Sequence, residues 1–325
     1  MSTSIPAPIT ALIPVRVQAK ATTAQDVCAV TLVAADGGAL PAFTAGAHVD
    51  VHLPGGLVRQ YSLSNDPAET HRYVLGVLRE ATSRGGSRAV HEQLMPGQTL
   101  QIGAPRNHFP LSPSARRSLL IAGGIGITPL LAMARQLAGA GADFALHYAA
   151  RDLERMAFRA EIEASAWAGA ARFHVGPDRM DVPGLLAAQA ADTHVYVCGP
   201  KRLIDAVTEA ARALGWTGDR VHHEFFAGTE APAPGQDRPF ELELRSGRVI
   251  PVAVGQSAAQ ALIAAGVPLL TSCEQGVCGT CLTGVLAGEP EHRDLYLTPE
   301  EQAANDQFTP CCSRARSERL VLDLG

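Results

Sequence analysis

Several things are missing from this 325-residue sequence, and each absence removes a class of protein. No apolar run approaches the roughly 18 to 20 residues that a membrane-spanning helix requires. The opening stretch, MSTSIPAPITALIPVRV, has no basic start leading into a continuous apolar segment, so it does not read as a secretory leader. Basic residues are not in excess: 27 Lys and Arg stand against 32 Asp and Glu, which leaves no electrostatic footprint for nucleic acid. The seven cysteines are odd in number and do not form a disulfide framework. No internal repeat or low-complexity tract stands out. These absences describe a cytoplasmic protein with neither a membrane nor a nucleic acid as partner.

What is present is enough apolar sequence for two or three globular domains, with 46% hydrophobic and 18% charged residues. The charge is uneven. Residues 239–325 hold 11 acidic against 6 basic side chains, so the whole formal charge of −5 falls there and the remainder, with 21 of each sign, is neutral. An acidic terminal domain suits electrostatic docking to a partner protein, and equally suits plain solvation of a small domain.

Three textures follow one another. From about residue 8 to 112, alternating runs such as VDVHLPG and YVLGVLRE are broken by Gly, Pro and Asp turns, as in an antiparallel barrel. From 113 to 227, strand-like SLLIAGG, FALHYAAR and THVYVCGP alternate with helical ITPLLAMARQLAGAG and KRLIDAVTEAARALG, which predicts an α/β parallel sheet with crossover helices. Residues 228–238, rich in Pro, Gly and Ala, read as a linker. Residues 239–325 add short strands and a helix from about Ser257 to Ala265 around a cysteine loop, an α+β domain.

In that loop, CEQGVCGTC, Cys273, Cys278 and Cys281 are spaced by four and two residues, and Cys311 follows after 29 more. This is the plant-type 2Fe-2S arrangement. Zinc is the competing metal, but its structural sites usually pair two short cysteine knuckles rather than three thiolates on one glycine-rich loop. Gly276 and Gly279 let the backbone wrap closely and turn amides toward the sulfurs. Cys312 adjoins Cys311, so the fourth ligand is not fixed by spacing alone. A centre of this kind moves one electron at a potential on the order of −400 mV and needs an upstream donor.

Upstream motifs fit such a donor. In RQYSLS, Arg59, Tyr61 and Ser62 suit a flavin's phosphate and ring edge, and in RGGS, Gly85, Gly86 and Ser87 offer amides to a phosphate. Taken singly, each reads as well as an ordinary strand or turn. In IAGGIGITPLL an apolar strand meets Gly123, Gly124 and Gly126 and then a helix carrying Thr128 and Pro129, which places bare backbone beside a ligand. Cys198, Gly199 and Pro200 end a second strand at the same sheet edge, with Cys198 either facing a nicotinamide or simply buried.

Taken in order, these motifs, together with PRNHFPL and the closing CCSRARSERLVLDLG, resemble the ferredoxin-NADP reductase superfamily, and within it the phthalate dioxygenase reductase group. The resemblance spans essentially the whole chain. It implies an antiparallel flavin-binding β-barrel, an α/β nucleotide domain and a plant-type ferredoxin domain of β-grasp form. It also implies FMN bound at Arg59, Tyr61, Ser62, Gly85, Gly86 and Ser87, with Thr128 and an aromatic, Phe226 or its neighbour Phe225, near the ring. Cys311 is the implied fourth cluster ligand. The implied activity is electron transfer from NADH through FMN and 2Fe-2S to a separate Rieske-type oxygenase or O-demethylase.

The sequence itself carries no Rieske Cys-x-His pairs and no 2-His-1-carboxylate set, so it does not oxygenate a substrate. No side chain is needed as a general acid or base, and the histidines are expected to be structural. Two other readings are an FAD reductase feeding a monooxygenase and a non-enzymatic electron-carrier scaffold with decayed nucleotide motifs. Asp152 and Glu154, after FALHYAAR, favour NADH over NADPH, while Arg151 and Arg155 point the other way.

Overall fold

The computed structural model describes residues 12–81, 85–176, 180–226 and 237–325. The chain divides into two compact units, 1–224 and 225–325. Most of the expected linker, residues 228–236, lies outside the described residues, as does Arg84 of the RGGS motif. Among the described residues no helix is long and apolar enough to cross a membrane.

The first unit opens with β1 (Ile13–Ala24), β2 (Val27–Ala34), β3 (Ala47–Leu53), β4 (Leu57–Ser62), β5 (Tyr73–Leu78), α1 (Gly86–Gln93), β6 (Thr99–Ile102) and β7 (Arg106–Asn107). The strands are antiparallel in the order β4-β3-β6-β1-β2-β5, with β7 on β3. A bridge between Leu63 and Leu75 joins the two ends and closes the sheet into a barrel. Closure follows from the period of two along each strand: Val15 and Val17, Val49 and Val51, and Leu75 and Val77 all point into one core. The turn expected at RGGS is the entry to α1, an eight-residue helix whose Ala89 and Val90 pack on that core.

A parallel sheet follows, built from β8 (Arg117–Gly123), α2 (Ile127–Gly139), β9 (Asp143–Ala150), α3 (Arg159–Glu163), β10 (Ala171–Val175), α4 (Val182–Ala187), β11 (Thr193–Cys198), α5 (Lys201–Ala213) and β12 (Val221–Glu224). Its order is β10-β9-β8-β11-β12. The central strands β8 and β11 are apolar on both faces because helices cover both. Val27, Ala45 and Phe109 of the barrel share a core with α2, Tyr148 and Phe158. The two sheets of this unit therefore meet through packed side chains.

The second unit contains β13 (Phe240–Glu243), β14 (Val249–Val252), α6 (Ala258–Ala264), β15 (Thr283–Ala287), β16 (Pro290–Glu291), α7 (Pro299–Ala304), β17 (Gln307–Phe308), β18 (Arg314–Ala315) and β19 (Arg319–Leu322). The sheet order is β14-β13-β19-β15-β17, with β13 and β19 parallel in the middle, and α6 lies against it through Ala258, Ala261 and Leu262. Asp237, at the end of the expected linker, pairs with Arg293 at 2.9 Å.

Candidate functional site

Alternation along β4 sends Leu57, Arg59 and Tyr61 to one face and Val58, Gln60 and Ser62 to the other. On the first face, α1 begins directly over the Arg59 stem: a Cβ on Gly86 would lie 2.5 Å from Arg59 Cγ. Gly85 precedes the helix with φ +94°, a conformation that suits glycine, and the Ser87 hydroxyl accepts the Glu80 amide at 3.1 Å. Arg59, Tyr61, Gly85, Gly86 and Ser87 are thus gathered where β4 meets α1. Burial pushes the Tyr61 phenol above its ordinary range, against the charge of Arg59.

The two nucleotide motifs meet at the carboxyl edge of the parallel sheet, where β8 and β11 pair. A Cβ on Gly126 would fall 2.3 Å from the Cys198 carbonyl oxygen, and one on Gly123 would fall 2.7 Å from Pro200 Cδ. Gly199 lies against the Gly123 backbone. These three glycines are required by close packing. Gly124 differs, with φ +54° and nothing within 4 Å of its Cβ position, so it presents bare backbone to open space beside the α2 amino terminus. Thr128 is buried, its hydroxyl donating to Ile125 O at 3.0 Å, and Pro129 is buried in the first turn of α2, where a missing amide costs no helical bond. The Cys198 thiol is fully buried, so this segment offers its edge through backbone.

Sequence reasoning passed over Glu224. It stands opposite Cys198 in the β11–β12 register and accepts a hydrogen bond from Ser62, on the second face of β4. Its Oε2 is buried with no hydrogen-bond partner among the described residues. Burial pushes its carboxyl up to about 8, so it holds a proton at neutral pH. Glu224 therefore ties the barrel motif to the nucleotide edge. The signal lies in HHEFFAG, where a lone acid ends a strand beside two aromatics. Phe226 follows two residues later in the second unit and is 37% exposed.

Asp152 and Arg155, weighed for nucleotide preference, are engaged with each other at 3.3 Å, and Arg155 also reaches Asp26 of the barrel at 3.3 Å. The Asp152 carboxylate additionally accepts the Arg155 amide. Their charges are committed to structure.

In the second unit the cysteine loop runs between α6 and β15. Cys273 meets Cys278, Cys281 meets Cys311, and Cys273 and Cys311 touch across the middle, all within hydrogen-bonding reach. The Gln275 amide donates to Cys273 Sγ at 3.4 Å and the Thr280 amide to Cys278 Sγ at 3.5 Å. Amides aimed at sulfur stabilise thiolate charge and tune a cluster's potential. Gly276 and Gly279 have φ of +70° and +68°, and a Cβ on Gly279 would strike the Tyr296 ring at 2.2 Å. Cys312 touches Cys311, and its Sγ lies 3.3 Å from Thr309 Oγ1, behind Gly276, in a network with Ser313 and Asp294. Among the described residues no three His, Cys, Asp or Glu side chains converge as a single metal ion would require. The contacts of Cys273 and Cys311 link all four sulfurs, a donor set of four thiolates that fits 2Fe-2S ligation.

Residues 242–316 match the family model of the 2Fe-2S iron-sulfur cluster binding domain, and residues 120–209 match the oxidoreductase NAD-binding domain. The chain is 51% identical over 319 residues to a vanillate O-demethylase oxidoreductase of a Pseudomonas species, covering 96% of this chain and all of that protein. The chain belongs to the phthalate dioxygenase reductase group. A second relative of the same name, from Acinetobacter baylyi, is 46% identical over 90% of this chain and 93% of its own length. The solved structure of phthalate dioxygenase reductase, described as modular for electron transfer from pyridine nucleotides to 2Fe-2S, matches with TM-score 0.78 and 37% identity over 96% of this chain and 98% of that one. An intact self-sufficient cytochrome P450 monooxygenase matches with TM-score 0.82 and 40% identity, this chain spanning 43% of its length. The reductase is thus an NAD-dependent oxidoreductase with a 2Fe-2S domain.

Proposed function

We propose that this chain is the reductase component of a Rieske-type aromatic oxygenase or O-demethylase system, working in the cytoplasm with NADH, FMN and a 2Fe-2S cluster. The observation that carries the reading is the junction of Ser62, Glu224 and the paired Gly126 and Cys198 backbones, which brings a flavin-type barrel edge against a nucleotide-type sheet edge.

The residues fit the groups. Arg59 and the Gly85–Ser87 entry to α1 would bind the flavin phosphate, and Tyr61 and Ser62 would serve its ring system. The backbone of Gly123, Gly124 and Gly126, with Thr128 and Pro129, holds the dinucleotide against Gly199 and Pro200. Glu224, protonated at neutral pH, presents a neutral donor to the same edge, and the buried Cys198 excludes water beneath it. Cys273, Cys278, Cys281 and Cys311 hold the cluster, which the amide bonds to sulfur orient. Bound FMN supplies the exchange between a two-electron hydride and single electrons, and a bound cluster supplies their one-at-a-time exit. The named relatives support an O-demethylase as acceptor.

Reconstitution tests this. Purified reductase with NADH and a vanillate O-demethylase oxygenase component is expected to demethylate vanillate, and acid-released flavin is expected to have the mass of FMN. NADH consumption without product in the presence of active oxygenase would contradict the partner, and FAD would contradict the flavin.

A further inference from the structure

The barrel leaves no room for a side chain at Gly76, where it meets α2 and Phe158, and we propose that this residue sets the spacing across which hydride is delivered. Along β5, Tyr73, Leu75 and Val77 point into the barrel, so Gly76 points out, and it is nevertheless buried. A Cβ there would lie 2.6 Å from Thr128 Cγ2 and 2.8 Å from Phe158 Cε2. The Gly76 backbone is outside the left-handed region, so the position needs glycine for space and not for conformation.

Both neighbours are held in place. Thr128 is the second residue of α2, and its hydroxyl bonds Ile125 O inside the Gly123–Gly126 turn, which couples the two. Phe158 is buried with φ +60°, a backbone conformation that a bulky residue seldom adopts. Its amide donates to Thr23 Oγ1 of β1 at 2.8 Å, so the barrel itself fixes the strained residue. Beside it the Gln25 amide donates to Glu154 O at 2.7 Å, and Arg155 pairs with Asp26. The tip of the β1–β2 hairpin therefore grips the 154–158 segment, and Gly76 is the surface on which the segment and α2 come to rest. Hydride transfer requires reacting atoms about 3 to 3.5 Å apart, and small displacements from a distance are costly. Gly76 is accordingly a positioning residue. The inference rests on the proposed delivery of hydride between the barrel and this sheet edge.

The test uses the full chain with Gly76→Ala and Thr128→Ser, singly and together. Thr128→Ser removes Cγ2 while keeping the hydroxyl that bonds Ile125. In flavin-free protein, Gly76→Ala is expected to lower the melting temperature, and adding Thr128→Ser is expected to recover part of the loss. In flavin-loaded protein at saturating NADH, Gly76→Ala is expected to slow flavin bleaching at least about tenfold and Thr128→Ser alone a few-fold, with the double variant faster than Gly76→Ala. Flavin content and the spectrum of the dithionite-reduced cluster are expected to stay unchanged. Bleaching of folded Gly76→Ala at the parental rate, or a slowing that Thr128→Ser leaves untouched, overturns the inference. If Gly76→Ala does not fold, Thr128→Ser alone decides, and an unaltered rate overturns it. A parent protein whose flavin NADH does not reduce sinks the functional reading instead.

Discussion

Cys311 and Glu224 are the two side chains whose replacement should be felt most sharply, one in the cluster and one in the pH dependence of stability. The ligand spacing singles out Cys273, Cys278 and Cys281, but Cys311 and Cys312 are neighbours whose sulfurs touch, and what separates them is that Cys311 also meets Cys273 and Cys281 while Cys312 also meets Thr309. Cys311→Ser is expected to lose most of its cluster, while Cys312→Ser keeps it, as measured by iron content and visible circular dichroism. Glu224 was illegible because nothing in HHEFFAG reveals that its carboxyl is buried against Ser62. Its folded-state pKa of about 8 stands above the ordinary carboxyl value, so the folded chain keeps a proton that the unfolded chain has lost. Stability should therefore fall as pH rises from about 4.5 to about 8. Glu224→Gln is expected to flatten that slope in thermal melts, and an unchanged slope would mean the group titrates normally.

Elements with strong periodicity were readable. The helix expected from about Ser257 to Ala265 is α6, whose capping box joins Ser257 and Gln260. The short elements were not: β10, ARFHV, and β12, VHHE, carry too little apolar sequence to announce strands, and their identity comes from pairing beside β9 and β11. That pairing brings histidines together, His147 with His174 and His194 with His222, each with ring nitrogens 3.0 Å apart and rings stacked. Burial lowers His147 and His222 to about 4, and His174 and His194 move the same way. Because the folded pairs resist protonation, their contribution is present above about pH 6.5 and is lost as pH falls toward 4. Acid melts of the parent should steepen over that window, and His147→Gln with His222→Gln should weaken the dependence.

At the scale of the whole molecule, the order of motifs was more informative than any one of them, since RQYSLS or RGGS alone passes for an ordinary strand or turn. What order does not convey is how closely the barrel and the parallel sheet meet, because that depends on a missing methyl group at Gly76. Charge belongs to this scale as well: the terminal domain carries the entire net −5. If it docks by charge, raising the ionic strength, which shortens the screening length to about 10 Å at 0.1 M, should slow electron transfer to the oxygenase but leave flavin reduction by NADH unchanged.

Electrons from NADH are expected to reduce the flavin first and to reach the four-cysteine site only through it. An anaerobic rapid-mixing experiment with flavin-loaded, cluster-loaded protein tests it most directly, following flavin absorbance and the paramagnetic signal of the reduced cluster. Flavin bleaching followed by the cluster signal is the predicted result, with no cluster signal when flavin is omitted. A cluster that stays oxidised after NADH, although dithionite reduces it, would rule out electron transfer from NADH to the cysteine site.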